Sequence, residues 1–472
     1  MVTKISVSLL GAVFIAGMSG CRKAPDRPMN VVYILADDLG YGDLGCYGQR
    51  LIKTPHIDRM AKEGMLFTRH YAGCSVSAPS RCSLMTGLHT GHTQVRGNRE
   101  IRPEGQQPMR EGTYTLGKLM KSAGYATGIF GKWGLGNPGS ASVPNNMGFD
   151  EFFGYNCQRQ AHSYYPDHLW HNEEKVLFPE NESNARGTYS QDLIHVRALD
   201  FIRAHKEQPF FALLTYTLPH AELNLPHDSI YQMYEHSFQE TPYIGKFDNV
   251  RGGYNTSERP LASFAAMVSR LDRYVGEVMA ELRRLGLDRN TLVIFTSDNG
   301  PHHEGGADPD FFDSNGPLRG IKRDVYEGGI RVPMVAWCPG RIKGGVKSDH
   351  ICAFWDVMPT LAELTGTVLP EATDGISFLP TLFSKGKQLT HDYLYWEFHE
   401  QGGRQALRCG KWKLIRQPIV GRTALELYDL ETDIHEDVNL TKQYPEKVQE
   451  LVALMDSARV ESPCFDFGRE EK

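Results

Sequence analysis

A chain of 472 residues is long enough to bury one large hydrophobic core and a second, smaller one. With 40% apolar and 23% charged residues it has the make-up of a globular protein, not of a disordered or fibrous one. The formal net charge of -6 sets up no basic field to draw a nucleic acid, although a local basic site remains compatible with it.

The first element is a targeting segment. Lys4 precedes an apolar run from Ile5 to Met18, followed by Ser19, Gly20 and Cys21. The run is too short to span a bilayer, so residues 1–20 read as an export signal. Cys21 after Gly20 resembles the lipobox of bacterial lipoproteins, with Met18 where Leu is usual. That resemblance implies lipidation of Cys21, an anchor in the inner or outer membrane, and a periplasmic or cell-surface location. Simple signal cleavage beside a bystander cysteine is the alternative. Residues 21–28 read as a linker. The other eight cysteines are scattered, without a CxxC pair or zinc-ligand spacing, and read mostly as small buried hydrophobes.

Residues 29–36 (MNVVYILA) form a continuous β-branched and apolar run, which predicts a strand buried on both faces. Similar runs recur at residues 125–130, 210–217 and 291–296. Between them lie helical patterns, the clearest over 261–285, with Phe264, Met267, Leu271, Val275, Val278 and Leu282 on one face and Gly286 as a stop. Strands alternating with helices predict an α/β fold with a mostly parallel central sheet flanked by helices, spanning residues 29–388. From 389 to 472 the texture changes. Short strand-like pieces at 393–398, 405–407, 411–416 and 425–428 precede a helical stretch at 445–455, predicting a smaller antiparallel α+β subdomain.

In parallel sheets ligands bind beyond the C-terminal ends of the strands. Asp37 and Asp38 follow the first strand, and Asp298 and Asn299 follow the strand at 291–296. Adjacent carboxylates at strand ends are costly to desolvate unless a cation or strong donors compensate. An all-oxygen set suits Ca²⁺, or Mg²⁺, rather than zinc. The bland reading is a helix cap for Asp37-Asp38 and a turn for Asp298-Asn299-Gly300. The segment from Ser77 to Gly87 (SAPSRCSLMTG) places Pro79 near a helix start and Ser77 just before it, where backbone N–H groups favour an anion. Arg81, one turn on, reaches the same point; a capped surface helix is the plain alternative.

Ser77-Ala78-Pro79-Ser80-Arg81, with Thr86-Gly87 downstream, resembles the type I sulfatase signature, of the alkaline-phosphatase-like superfamily. The resemblance continues through Asp37-Asp38, Gly131-Lys132-Trp133, Pro219-His220, Asp298-Asn299-Gly300, Gly320-Ile321-Lys322 and residues 326–333, and reaches residues 408–414. It implies that Ser77 is oxidised to formylglycine (3-oxoalanine), with serine in that place pointing to a radical-SAM maturing enzyme. It also implies a calcium ion held by Asp37, Asp38, Asp298, Asn299 and residue 77, and sulfate-binding cations Arg81, Lys132 and Lys322. Asp298 is expected to assist the attacking hydroxyl, and His220 to protonate the leaving oxygen. The family often has histidine after Gly-Lys-Trp; Gly134 stands there instead, and His302 and His303 are candidate substitutes.

For the sugar, the segment 157–166 with Trp170 offers aromatic faces and polar readers. His162, Arg159 and Gln158 are the first expected contacts, then Arg96 and Asn98, with His399, Glu400 and Arg404 as a wall. The resemblance points to sulfated galactose or N-acetylgalactosamine in glycosaminoglycan, mucin or algal glycan. Two rivals stand beside it: a phosphomonoesterase or phosphodiesterase of the same superfamily using unmodified Ser77, and a non-catalytic glycan-binding lipoprotein.

Overall fold

The computed structural model describes residues 27–246 and 253–467; the expected export signal, Cys21 and most of the expected linker lie outside the described residues. Among the described residues, no helix is long and apolar enough to cross a membrane.

Fifteen strands are described. They are β1 (Asn30–Asp37), β2 (Met65–Tyr71), β3 (Ala126–Lys132), β4 (Glu151–Tyr155), β5 (His168–His171), β6 (Glu174–Leu177), β7 (Phe210–Pro219), β8 (Thr291–Ser297), β9 (Arg331–Trp337), β10 (Val346–Ser348), β11 (Cys352–Ala353), β12 (Leu394–Phe398), β13 (Arg404–Cys409), β14 (Trp412–Gln417) and β15 (Ala424–Asp429). The first eleven form one sheet in the order β10-β2-β9-β8-β1-β7-β3-β4-β5-β6, with β11 also on β2. The middle of the sheet, β8-β1-β7-β3-β4, is parallel throughout. The direction reverses at β9 on one side and at β5 on the other.

The apolar run of β1 explains its central place. Alternate side chains point to opposite faces, so Val31, Tyr33 and Leu35 enter one core and Val32, Ile34 and Ala36 the other. Each such aliphatic side chain contributes roughly 1.5–3 kcal/mol on full burial, which requires cover on both faces. Helices Ser190–Ala204 and Pro260–Arg284 cover the face of Val32, Ile34 and Ala36, the latter through Met267, Leu271, Val275, Val278 and Leu282. Helices Ser77–Thr86, Leu116–Ser122 and Val357–Thr365 cover the face of Val31, Tyr33 and Leu35.

Strands β12–β15 make a separate antiparallel sheet. One face, with Trp396, Phe398, Ala406 and Ile415, packs on Tyr71, Val76 and Trp355 of the large layer. The other, with Tyr395, Leu407, Leu414 and Leu427, takes Leu451 and Met455 of helix Pro445–Ser457. A buried ion cluster crosses the seam: Lys413 Nζ on β14 lies 3.0 Å from Glu327 and 2.9 Å from Glu436, and Tyr71 Oη donates to Glu327 at 2.7 Å. The eight cysteines of the described residues are all unpaired.

Candidate active site

Register brings the chemistry together. Parallel pairing sets Ala36 level with Ser297 and Asp37 level with Pro219. The residues that follow or end these neighbouring strands are therefore Asp37 and Asp38 on β1, Asp298 and Asn299 after β8, and His220 after β7. One strand further, β3 ends on Lys132. Asp38 has φ +62, which turns the chain off the sheet. At Gly131, whose φ is +124, a Cβ would lie 2.0 Å from the Thr215 carbonyl, so only glycine allows β3 to approach β7 so closely.

Helix Ser77–Thr86 delivers Ser77, the expected nucleophile. Ser77 is its first residue rather than the residue before it, and all ten residues are buried, so the capped surface helix is excluded. Ser77 Oγ donates to Asp37 Oδ1 at 2.9 Å and accepts from Lys132 Nζ at 3.2 Å, while Lys132 also pairs with Asp37 Oδ2. The expected partner of that hydroxyl, Asp298, is otherwise engaged. Its Oδ2 takes Arg81 Nε and Nη2 at 3.1 and 2.9 Å, and its Oδ1 takes the Asp38 N–H at 3.2 Å. Arg81 also reaches Asp37 Oδ2 at 3.2 Å and the Lys132 carbonyl at 2.7 Å.

The carboxylates of this cage share their counter-charges unequally. Burial and then Asp37 push the Asp298 carboxyl up to about 6. Burial would raise Asp37 too, but Lys132, His220 and Arg81 outweigh it and hold that carboxyl well below the ordinary range. Asn299 Nδ2 donates to Asp38 Oδ1 at 2.7 Å, leaving Asn299 Oδ1 buried with no partner. Three buried carboxylates and an orphaned amide oxygen fit a hard divalent cation with mainly oxygen ligands, although His220 also converges with Asp37 and Asp38.

On the other side, Lys322 Nζ donates to Asp38 Oδ2 at 2.8 Å, Glu304 Oε2 at 3.1 Å and His220 Nε2 at 3.2 Å. Against burial, Asp38 and Glu304 raise its pKa. His220 Nδ1 bonds the Ala221 carbonyl, which leaves Nε2 as the acceptor, and burial with Lys322 lowers its pKa to about 4. Glu304 and its further partner Tyr254, 2.8 Å away, escaped the sequence reading, although Glu304 stands just after His302-His303.

The expected sugar contacts divide. His162 belongs to the site: its ring stacks on His220 at 5.2 Å, and its Nδ1 is buried without a partner. Burial, His220 and the two lysines hold it well below its ordinary pKa. Gln158 Nε2 is likewise buried and unpartnered, and lies 2.9 Å from where a Cβ on Gly134 would stand. Arg159 is nearly buried and pairs with Glu100 at 2.6 Å. Arg96 is a correction. It is buried against Glu397 at 2.7 Å and bonds the Thr93 and Val460 carbonyls, which makes it a structural brace. Asn98 acts on the nucleophile helix, its Oδ1 accepting the Ala78 N–H at 3.0 Å. Glu400 accepts the Asn98 N–H, and His399 pairs with Glu397. Arg404 clamps the Arg323 carbonyl and Asp324. The substitutes for the missing histidine also fail. His302 accepts from the Glu304 N–H and donates to the Pro219 carbonyl, so neither ring nitrogen is spare, and His303 is exposed.

The sulfatase family profile matches residues 29–367, and the profile of the N-sulphoglucosamine sulphohydrolase C-terminal region matches 321–461. The N-acetylgalactosamine-6-sulfatase of Canis lupus familiaris is 33% identical over 86% of this chain and 74% of its own length. The N-acetylgalactosamine-6-O-sulfatase of Bacteroides thetaiotaomicron is 30% identical over 94% of this chain and 97% of its own. Among solved structures, Ps i-CgsB in complex with k-i-k-neocarrahexaose superposes with a TM-score of 0.76 at 27% identity, covering 91% of this chain and 92% of the other. With Ser77, the cations and the carboxylate cage assembled at the strand ends, and with this extent of likeness, the chain belongs to the sulfatase family and is a sulfuric ester hydrolase.

Proposed function

We propose that the protein removes sulfate from galactose or N-acetylgalactosamine units of a glycan, using a formylglycine made from Ser77 beside one calcium ion. The observation that carries this reading is the placement of Ser77 Oγ between Asp37 and Lys132, at the edge of a cage whose Asn299 oxygen lacks a partner. The sugar class is supported by the names of the relatives. Asp37, Asp38, Asp298 and Asn299 would hold the ion, which neutralises them and polarises a sulfate oxygen. A hydrated formylglycine supplies two hydroxyls on one carbon, one to attack sulfur and one whose deprotonation expels sulfate. Arg81 fixes Asp37 and Asp298, while Lys132 and Lys322 bring fixed positive charge to the anion. His220 would protonate the leaving oxygen from Nε2 once that nitrogen takes up a proton from solvent; here it accepts from the Lys322 ammonium at 3.2 Å. The two-metal phosphatase alternative is disfavoured by Lys322. Its ammonium already fills the place between Asp38, Glu304 and His220 where a second cation would sit.

The test is to produce the protein with and without a radical-SAM maturing enzyme, and to follow both mass and turnover. An aldehyde on the peptide containing residue 77, with sulfate released from N-acetylgalactosamine-6-sulfate or galactose-6-sulfate, is expected; Ser77→Ala abolishes release. Intact serine together with phosphatase turnover would sink the reading. We further propose that the enzyme is exported and anchored through Cys21. Labelling with a fatty-acid analogue checks this, since Cys21→Ala removes the label.

A further inference from the structure

The residue after Lys322 is unusual in its backbone. Arg323 has φ +78, a conformation that a residue with a long side chain takes only where its surroundings impose it. Here its N–H donates to the Ser75 carbonyl at 2.9 Å, and its own carbonyl accepts from Arg404, which also holds Asp324 at 3.1 Å. The turn brings two consecutive cations onto one carboxylate. Lys322 Nζ lies 3.1 Å from Glu304 Oε2, and Arg323 Nη2 lies 2.5 Å from Glu304 Oε1. Side-chain exposure rises along this line, from 0% at Asp38 and 4% at Lys322 to 13% at Glu304 and 26% at Arg323. Arg323 therefore stands at the solvent end of a row of charges whose inner end is the sulfate cage. Glu304 engages one edge of a planar fork that has five N–H donors and suits sulfate or carboxylate.

We propose that Arg323 forms an anion subsite at the mouth of the active site. It recognises a second acidic group, a further sulfate or a uronate carboxylate, on the glycan whose scissile sulfate lies in the cage. This rests on the sulfatase reading above. Glu304 keeps Arg323 aimed inward while the subsite is empty, and the clamp from Arg404 keeps the strained turn in place when a ligand arrives.

Kinetics of the matured, full-length enzyme test it on three probes: N-acetylgalactosamine-6-sulfate, the same sugar with a second sulfate at O4, and the monosulfated sugar joined to a uronate. Wild type is expected to favour at least one doubly charged probe by about tenfold in kcat/KM, mainly through KM, with the preference shrinking as salt rises. Which probe gains identifies the second group. Arg323→Asn, chosen because asparagine tolerates the left-handed region, abolishes the preference and changes turnover of the singly charged probe less than about twofold. Arg323→Lys retains part of it. Equal use of all three probes by wild type, or an equal loss on all three in Arg323→Asn, overturns the subsite and leaves the sulfatase reading intact. Matured wild type that releases no sulfate from any probe overturns the N-acetylgalactosamine substrate reading and the subsite with it.

Discussion

Arg81 ties the reacting groups together, spanning Asp37, Asp298 and the backbone of Lys132. Lysine keeps the charge but not the fork, so Arg81→Lys is expected to lower kcat/KM by about 10²–10³ with little change in melting temperature. Asp298 gives a second expectation. Its carboxyl is raised from 3.8 to about 6, so without metal the folded protein holds a proton that the unfolded chain releases. That stability is present below pH 3.8 and is lost as pH rises through 6. Calcium-free Asp298→Asn should therefore melt higher than calcium-free wild type at pH 7, while calcium raises the wild-type melting temperature and no longer raises that of the variant; thermal scans with and without a chelator decide it. At this scale the sequence was informative wherever a residue sat directly after an apolar strand, as Asp37, His220 and Asp298 do. It was misleading for Arg96, because nothing local announces a partner as distant in the chain as Glu397. Glu304 and Tyr254 were missed for the same reason.

Among the elements, strand β12 shows how one carboxylate organises several segments. Glu397 accepts from Arg96, His399 and Arg459 at 2.7, 2.8 and 2.8 Å. Burial alone would raise its pKa, but His399 and Arg96 prevail and depress it to about 2. The stabilisation is fully present above the ordinary value of 4.5 and disappears as pH falls toward 2. Glu397→Gln is expected to cost about 3–5 kcal/mol near neutrality, because buried Arg96 and half-buried Arg459 lose their counter-charge. Its stability should then vary less than wild type's between pH 4.5 and 2, as followed by denaturant titration. The long parallel strands were legible because unbroken apolar runs permit little else. Strands β2 and β9 were not, since Arg69, His70, Arg331 and Pro333 interrupt their patterns, and β5 and β6 have only four residues each.

Across the whole molecule the small sheet is no appendage. It supplies Arg404 to the turn beside Lys322, and Lys413 to a buried cluster with Glu327 and Glu436. Removing that ammonium leaves two facing carboxylates in a dry seam. Lys413→Met is thus expected to destabilise the fold by about 3–5 kcal/mol, a loss that the double variant with Glu327→Gln should partly reverse. The change of texture near residue 390 announced this second sheet, but not that it would brace the catalytic turn, because such contacts join positions far apart in the chain. The burial of the entire helix that begins at Ser77 carries one more consequence. No second enzyme could grip that segment once the protein has collapsed around it. On the proposed conversion of Ser77, its oxidation would be timed to the nascent or still-extended chain, and finished protein offered to a maturing enzyme in a test tube should stay inert until it is unfolded and allowed to refold.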